Sequence, residues 1–150
     1  MTASYLQHTL HRFLSEVPTL SLATVDDDGT PHAANVNFVT DDDLNLYFLS
    51  SPESAHSRHI ARRPQIAATC YADFNDARDI RGVQLRGLCA ECDPADFDAH
   101  WAHFCAKFPY AADYEFHARA ERFYHLRPTW ARWIDNRVHF GFKMEMDFPP

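Results

Sequence analysis

The sequence holds 150 residues, of which 46% are hydrophobic and 14% aromatic. These values exclude a disordered chain, and area scaling expects about two-thirds of the unfolded surface to be buried in one domain spanning 1–150. A net charge of −7 without a basic tract argues against nucleic-acid binding, and 12 Arg against 2 Lys favours bidentate anion contacts over diffuse positive charge.

The N-terminal stretch MTASYLQHTLHRFLSEV lacks the basic and apolar regions of a leader. No apolar run approaches the ~18–20 residues of a membrane span. Four Cys (70, 89, 92 and 105) are too sparse for a disulfide framework. The expectation is a cytoplasmic protein with reduced thiols and no membrane partner.

Residues 4–17 predict a helix. Leu6, Leu10, Phe13, Leu14 and Val17 follow a 3.6-residue period, Ser4 and Gln7 have capping-box spacing, and Pro18 stops the run. The period then becomes two. Leu20 and Leu22 alternate with Ser21 and Ala23, and Asp26-Asp27-Asp28-Gly29 predicts a turn. Ala34, Val36 and Phe38 share one strand face, with Asn35 and Asn37 on the other. After Asp41-Asp42-Asp43, Leu44, Leu46 and Phe48 alternate with Asn45, Tyr47 and Leu49. Three strands with short turns predict an antiparallel meander.

Ser51-Pro52-Glu53 opens a predicted short helix that ends at Pro64. Residues 66–71 and 81–90 predict strands, with a polar loop between them. Asp93-Pro94 starts a helix whose stripe is Phe97, Trp101, Phe104, Cys105 and Phe108. Residues 110–121 leave helix and loop both open. Residues 123–135 predict a strand in which Pro128 marks an edge or a bulge. Asp135-Asn136 predicts a turn, and Val138, Phe140, Phe142 and Met144 predict one face of a last strand. Six or seven antiparallel strands with marginal helices, and no Gly-rich βαβ unit, predict a mainly β (α+β) small barrel with covering helices.

The junction FLSSPESAHSR, residues 48–58, carries the densest chemistry. A strand ends and a helix begins, and a helix N-terminus attracts phosphate. Ser50, Ser51 and Ser54 offer hydroxyls, while His56 and Arg58 offer charge. Simple capping by Ser51 is the competing explanation. Asn35 and Asn37 present two amides on one strand face, suited to a heteroaromatic ring with donors and acceptors, or else to plain solvent exposure. Three His pairs are spaced i, i+3: His8/His11, His56/His59 and His100/His103. Cys89-x-x-Cys92 before His100 and His103 is a weak zinc pattern, because the His spacing is short, so no metal site is assigned. Trp130 and Trp133 near Asp135-Asn136 suit either a planar ligand or packing.

Read in order, LSLATVDDDGTPHAANVNFVTDDDLNLYFLSSPESAHSRHIARRPQIAATCYAD, RGVQLRG and WIDNRVHFGFKMEM resemble the pyridoxamine 5′-phosphate oxidase-like, FMN-binding split β-barrel superfamily. Within it the chain is similar to the uncharacterised YhbP-like branch. The resemblance implies a split-barrel homodimer with FMN at the subunit interface. It puts the FMN phosphate at Ser50, Ser54 and His56, and the isoalloxazine ring at Asn35, Val36 and Asn37. Arg81, Gly82, Trp130 and Asn136 would reach the flavin from the partner subunit. Two departures stand out: many members carry an Arg where this chain has Ala34, and a Lys where it has His56. The Arg-x-His signature of vitamin B6 oxidation is missing at Arg132-Trp133-Ile134, so that activity is not carried over.

The expected function is FMN-dependent redox chemistry, of the NAD(P)H:flavin reductase kind, on a small molecule. No catalytic acid or base stands out. The rivals are a haem-binding or haem-degrading split barrel, a deazaflavin protein by analogy, and a non-catalytic flavin-binding or interaction module.

Overall fold

Alternation of inward apolar and outward polar residues builds a closed barrel. In the computed structural model, which describes residues 2–150, the helix α1 (Ala3–Glu16) precedes the strands β1 (Thr19–Val25), β2 (Pro31–Thr40) and β3 (Leu46–Ser50). The helix α2 (Ala55–Arg62) leads to β4 (Gln65–Tyr71) and β5 (Arg81–Glu91). Then come α3 (Phe97–Lys107), the short α4 (Glu115–Ala118), β6 (Arg122–Asp135) and β7 (Lys143–Asp147). The sheet order is β3-β2-β1-β4-β5-β6-β7, and a β3–β6 pairing closes six strands into an antiparallel barrel. β7 continues the sheet beyond the closure, along the second half of β6.

Inward-facing Leu20, Leu22, Phe38, Leu46, Phe48, Val83, Leu85 and Leu126 form the core. Leu6, Leu10, Phe13 and Leu14 of α1 join it at the end where β1 begins. α2 contributes Ile60 at the opposite end. A second cluster lies outside the barrel, where Trp101, Phe104 and Phe108 near α3 cover Val39 and Phe123. Lys107 fastens α3 down. Its ammonium donates to the carbonyls of Leu14 (3.0 Å), Val17 (2.7 Å) and Phe38 (2.8 Å) and sits 4.0 Å from the Phe38 ring centre. Burial draws its pKa down to about 8.

Several local expectations are corrected. Thr2, not Ser4, caps α1 by accepting from the Tyr5 N–H. Ser54, not Ser51, caps α2, and Pro52 lies in the preceding turn. The last strand starts at Lys143, because residues 136–142 form a loop with Gly141 at φ 79°. Val138 and Phe140 are therefore exposed, while Phe142, Met144 and Met146 pack against the core. Leu44 belongs to the Asp41 turn at φ 66°. Its side chain is 1% exposed, so burial offsets the strain of a left-handed residue without a glycine. Pro128 marks a bulge: the β5–β6 register passes from Arg86 opposite Trp130 to Gly87 opposite Pro128. The open stretch 110–121 resolves into a 3₁₀ turn followed by α4.

Candidate functional site

Among the described residues no helix covers one outer face of the barrel, whose residues on β1 and β4 are small or polar. Antiparallel register aligns them in rows. Asn35, Ser21, Thr69, Gln84 and Arg132 face one another across β2, β1, β4, β5 and β6. The next row runs Ala33, Ala23, Ala67, Arg86 and Trp130, and its three alanines are all exposed. The amides are oriented. Asn35 Oδ1 accepts from the Ser21 hydroxyl (2.7 Å), and Asn37 Oδ1 accepts from the Thr19 hydroxyl (3.1 Å). Asn37 Nδ2 donates to the Tyr110 hydroxyl at 3.2 Å. A groove of about 510 Å³ lies along this face, lined among others by Ser21, Asn35, Thr69, Tyr71 and Arg81. Val36 points the other way, into the core, so only its backbone is available to a ligand.

The hydroxyl-rich junction follows β3. Phe38 pairs with Phe48, a register that, continued, sets Ser50 level with Val36. Ser50, Ser54 and His56 come together as expected, but they bind one another. His56 Nε2 lies 2.6 Å from the Ser50 hydroxyl and 3.1 Å from that of Ser54. Ser54 also donates to the Ser51 carbonyl (2.8 Å) and caps the Ser57 N–H. Burial lowers the His56 pKa, helped by the charges of His32 and His59. At neutral pH His56 is therefore an uncharged ring held against two serines. His59 Nδ1 lies 2.9 Å from the Thr24 hydroxyl, and the His32 ring meets it edge-on at 5.4 Å. Arg58 is exposed on α2, and Ser51 stays at the turn, accepting from the Glu53 N–H.

The remaining expected residues are spread along the sheet. Arg81 stands at the groove's end, its guanidinium 5.4 Å from the Phe13 ring centre. Gly82 is required by packing, since a Cβ there would lie 2.7 Å from the Cys70 carbonyl oxygen. Trp130 lies on the uncovered face between Arg86 (4.6 Å) and Arg132 (5.2 Å). Asn136 spends its amide on the chain, donating to the Ala77 carbonyl and accepting from the Gly141 N–H.

Sequence reasoning missed His32, Thr24 and Tyr110, which come from separate elements and leave no local signal. It also missed the stack around Tyr47, whose ring lies 4.8 Å from that of His100 and 5.1 Å from that of His125. Cys89 is buried in the barrel, whereas Cys92 packs against the outer cluster. Among the described residues no group of three or more His, Cys, Asp or Glu is placed to hold a metal ion. No helix among them is long and apolar enough to cross a membrane.

A closed six-stranded antiparallel barrel with flanking helices is the architecture of the split-barrel class. The profile of the pyridoxamine 5′-phosphate oxidase family matches residues 6–135, and the chain belongs to that family. It is 23% identical over 145 residues to the UPF0306 protein plu4501 of Photorhabdus laumondii, covering 96% of this chain and 97% of that protein. It is also 33% identical over 86 residues to the pyridoxine/pyridoxamine 5′-phosphate oxidase of Ectopseudomonas mendocina, which is 57% of this chain and 38% of that enzyme. Among solved structures, a haem-binding protein from Mycobacterium smegmatis superposes with a TM-score of 0.76 at 17% identity, over 98% of this chain and 59% of that one. At that identity the likeness speaks for the fold alone.

Proposed function

We propose that the protein is a homodimer that binds FMN on the uncovered sheet face and performs flavin redox chemistry, as an NAD(P)H-dependent reductase. The observation that carries this reading is the polar row Asn35–Ser21–Thr69 beside a groove of about 510 Å³, within the range of roughly 300–1,000 Å³ usual for ligand sites. Strand amides and backbone suit the donors and acceptors of an isoalloxazine edge. A dimer is supported by the exposed alanine row, which permits close approach.

The fit is good at the ring end and weaker at the phosphate end. Ala34 offers no charge, and His56 is neutral and already bonded. Ser50, Ser54 and the first N–H groups of α2 would hold the phosphate. Asn35, Asn37 and the Val36 backbone would orient the ring, with Arg81 and Trp130 closing over it from the partner subunit. The flavin supplies the hydride and electron transfer; the protein binds it, aligns it and limits its contact with water.

The test is a visible spectrum after adding FMN and desalting, followed by NAD(P)H oxidation measured against free FMN. A retained flavin spectrum with stimulated oxidation supports the reading, and a colourless protein overturns it. His56→Lys should tighten FMN binding, because a lysine stays charged at neutral pH. A haem site is the second reading, favoured by the grouping of His32, His56 and His59 and by the fold shared with the mycobacterial haem-binding protein. A Soret shift on adding haem would support it.

A further inference from the structure

A second cleft, of about 290 Å³, lies between α1 and the ends of β5 and β6. It shares Glu16 and Arg81 with the groove on the uncovered face, and its other lining residues are different. Its floor is apolar. Phe13 and Trp133 are buried there, edge to face, with ring centres 4.9 Å apart. Its walls bring together three guanidinium groups from three elements: Arg12, Arg81 and Arg137.

Their charges are unequally satisfied. Arg137 is gripped by Asp135 through two hydrogen bonds of 2.9 Å, so that pair is closed. Arg81 feels the charge of Asp135, and Arg12 and Arg81 share Glu16. Its carboxylate lies 3.5 Å from Arg12 Nε and 3.9 Å from Arg81 Nη1. Both distances exceed the ~2.7–2.9 Å of a charge-assisted hydrogen bond. The cleft therefore holds two forked donors around one loosely placed carboxylate. Asp79 also acts on Arg137, so three Arg stand against Glu16, Asp135 and Asp79 and the formal charges balance.

We propose that this cleft binds an aromatic monocarboxylate. The carboxylate would take the forks of Arg12 and Arg81 in place of Glu16, and the ring would lie against Tyr5 and Val138, the exposed apolar side chains of the cleft, above Phe13 and Trp133. A monoanion that displaces Glu16 keeps this balance, whereas a phosphate dianion would not. The volume suits a single ring and is too small for a flavin with its ribityl phosphate. Arg81 already stacks over Phe13, so its fork is held in place before a ligand arrives.

Benzoate serves as the probe, titrated into the full chain by calorimetry and by the chemical shift of the Trp133 indole N–H. Saturable binding is expected, with acetate (charge without ring) and benzyl alcohol (ring without charge) each at least about tenfold weaker. Losing a charged hydrogen bond of ~1.5 kcal/mol is about tenfold, so Arg12→Gln and Arg81→Gln should each weaken benzoate by about that factor. Glu16→Gln should tighten it, because a competing carboxylate is removed. Arg12 and Glu16 are exposed on α1, so these variants keep the fold. No benzoate binding to the wild type and to Glu16→Gln overturns the proposal, as does binding indifferent to Arg12→Gln. FMN is titrated in parallel. Arg12→Gln should leave FMN unaffected, and an FMN affinity lowered by Arg12→Gln would overturn a separate site.

Discussion

The barrel has two outer faces written by neighbouring strands, and they differ in one property. Under α3 the outward residues are large and apolar: Val39, Leu49 and Phe123 pack against Trp101, Phe104 and Phe108. Across β1 and β4 they are Ser21, Ala23, Ala67 and Thr69, with no helix above them. β2 takes part in both, with Asn35 and Asn37 on the open side and Val39 on the covered one. The bond from Asn37 to the Tyr110 hydroxyl marks the border. A face of small and polar side chains gains little by recruiting its own helix, so it stays uncovered. A face of large apolar side chains must be covered within the chain.

The largest break in this comparison comes from the covered face. Phe104→Ala should cost about 3–5 kcal/mol in urea unfolding, whereas Thr69→Ala on the open face should stay within about 0.5 kcal/mol. Equal losses would remove the distinction. Lys107→Met should cost about 2–3 kcal/mol, because it strands three carbonyls that the ammonium satisfies. A neutral outcome would mean that α3 is held by its apolar stripe alone.

Thr69→Glu sharpens the other side. It should leave the fold intact, weaken self-association by about tenfold or more in sedimentation, and reduce FMN retention with it. An unchanged dimer would put the interface elsewhere.

The smallest effect is with pH. Burial lowers the folded-state pKa of His56, His100 and His125 below the ordinary value of 6.5. Below about pH 6.5 the unfolded chain takes up protons at these positions while the folded chain does not, so stability falls on acidification. The contribution of these three histidines should be flat above pH 7.5. His125→Asn should reduce the slope in urea midpoints measured between pH 7.5 and 5.5, and an unaltered slope would clear this residue.

Much of the fold was legible because each strand has one wet and one dry face. The alternation of Leu20 and Leu22, of Val36 and Phe38, and of Val83 and Leu85 matches the observed burial. The same alternation failed after Asn136. Val138 and Phe140 continue a strand-like pattern, yet the Asn136–Gly141 bond and the left-handed Gly141 turn that stretch into a loop. At the junction the sequence offers three serines before the helix, any of which can cap it. The choice of Ser54 depends on Pro52 taking the turn and on Ser50 facing inward to His56.

The amino-acid sequence alone determined the order of the elements, the apolar faces that close the barrel, the amide-bearing strand and the family to which the chain belongs. These are local or periodic properties, carried by residues two to four positions apart. Tertiary structure decided which outward face is left bare, which histidines meet, and which charges go unpaired. His32 approaches His59 and Arg81 approaches Arg12 and Glu16 only after the strands have closed. Burial of His56 beside Ser50, which withholds its charge, likewise depends on that closure and not on the neighbours it has in sequence.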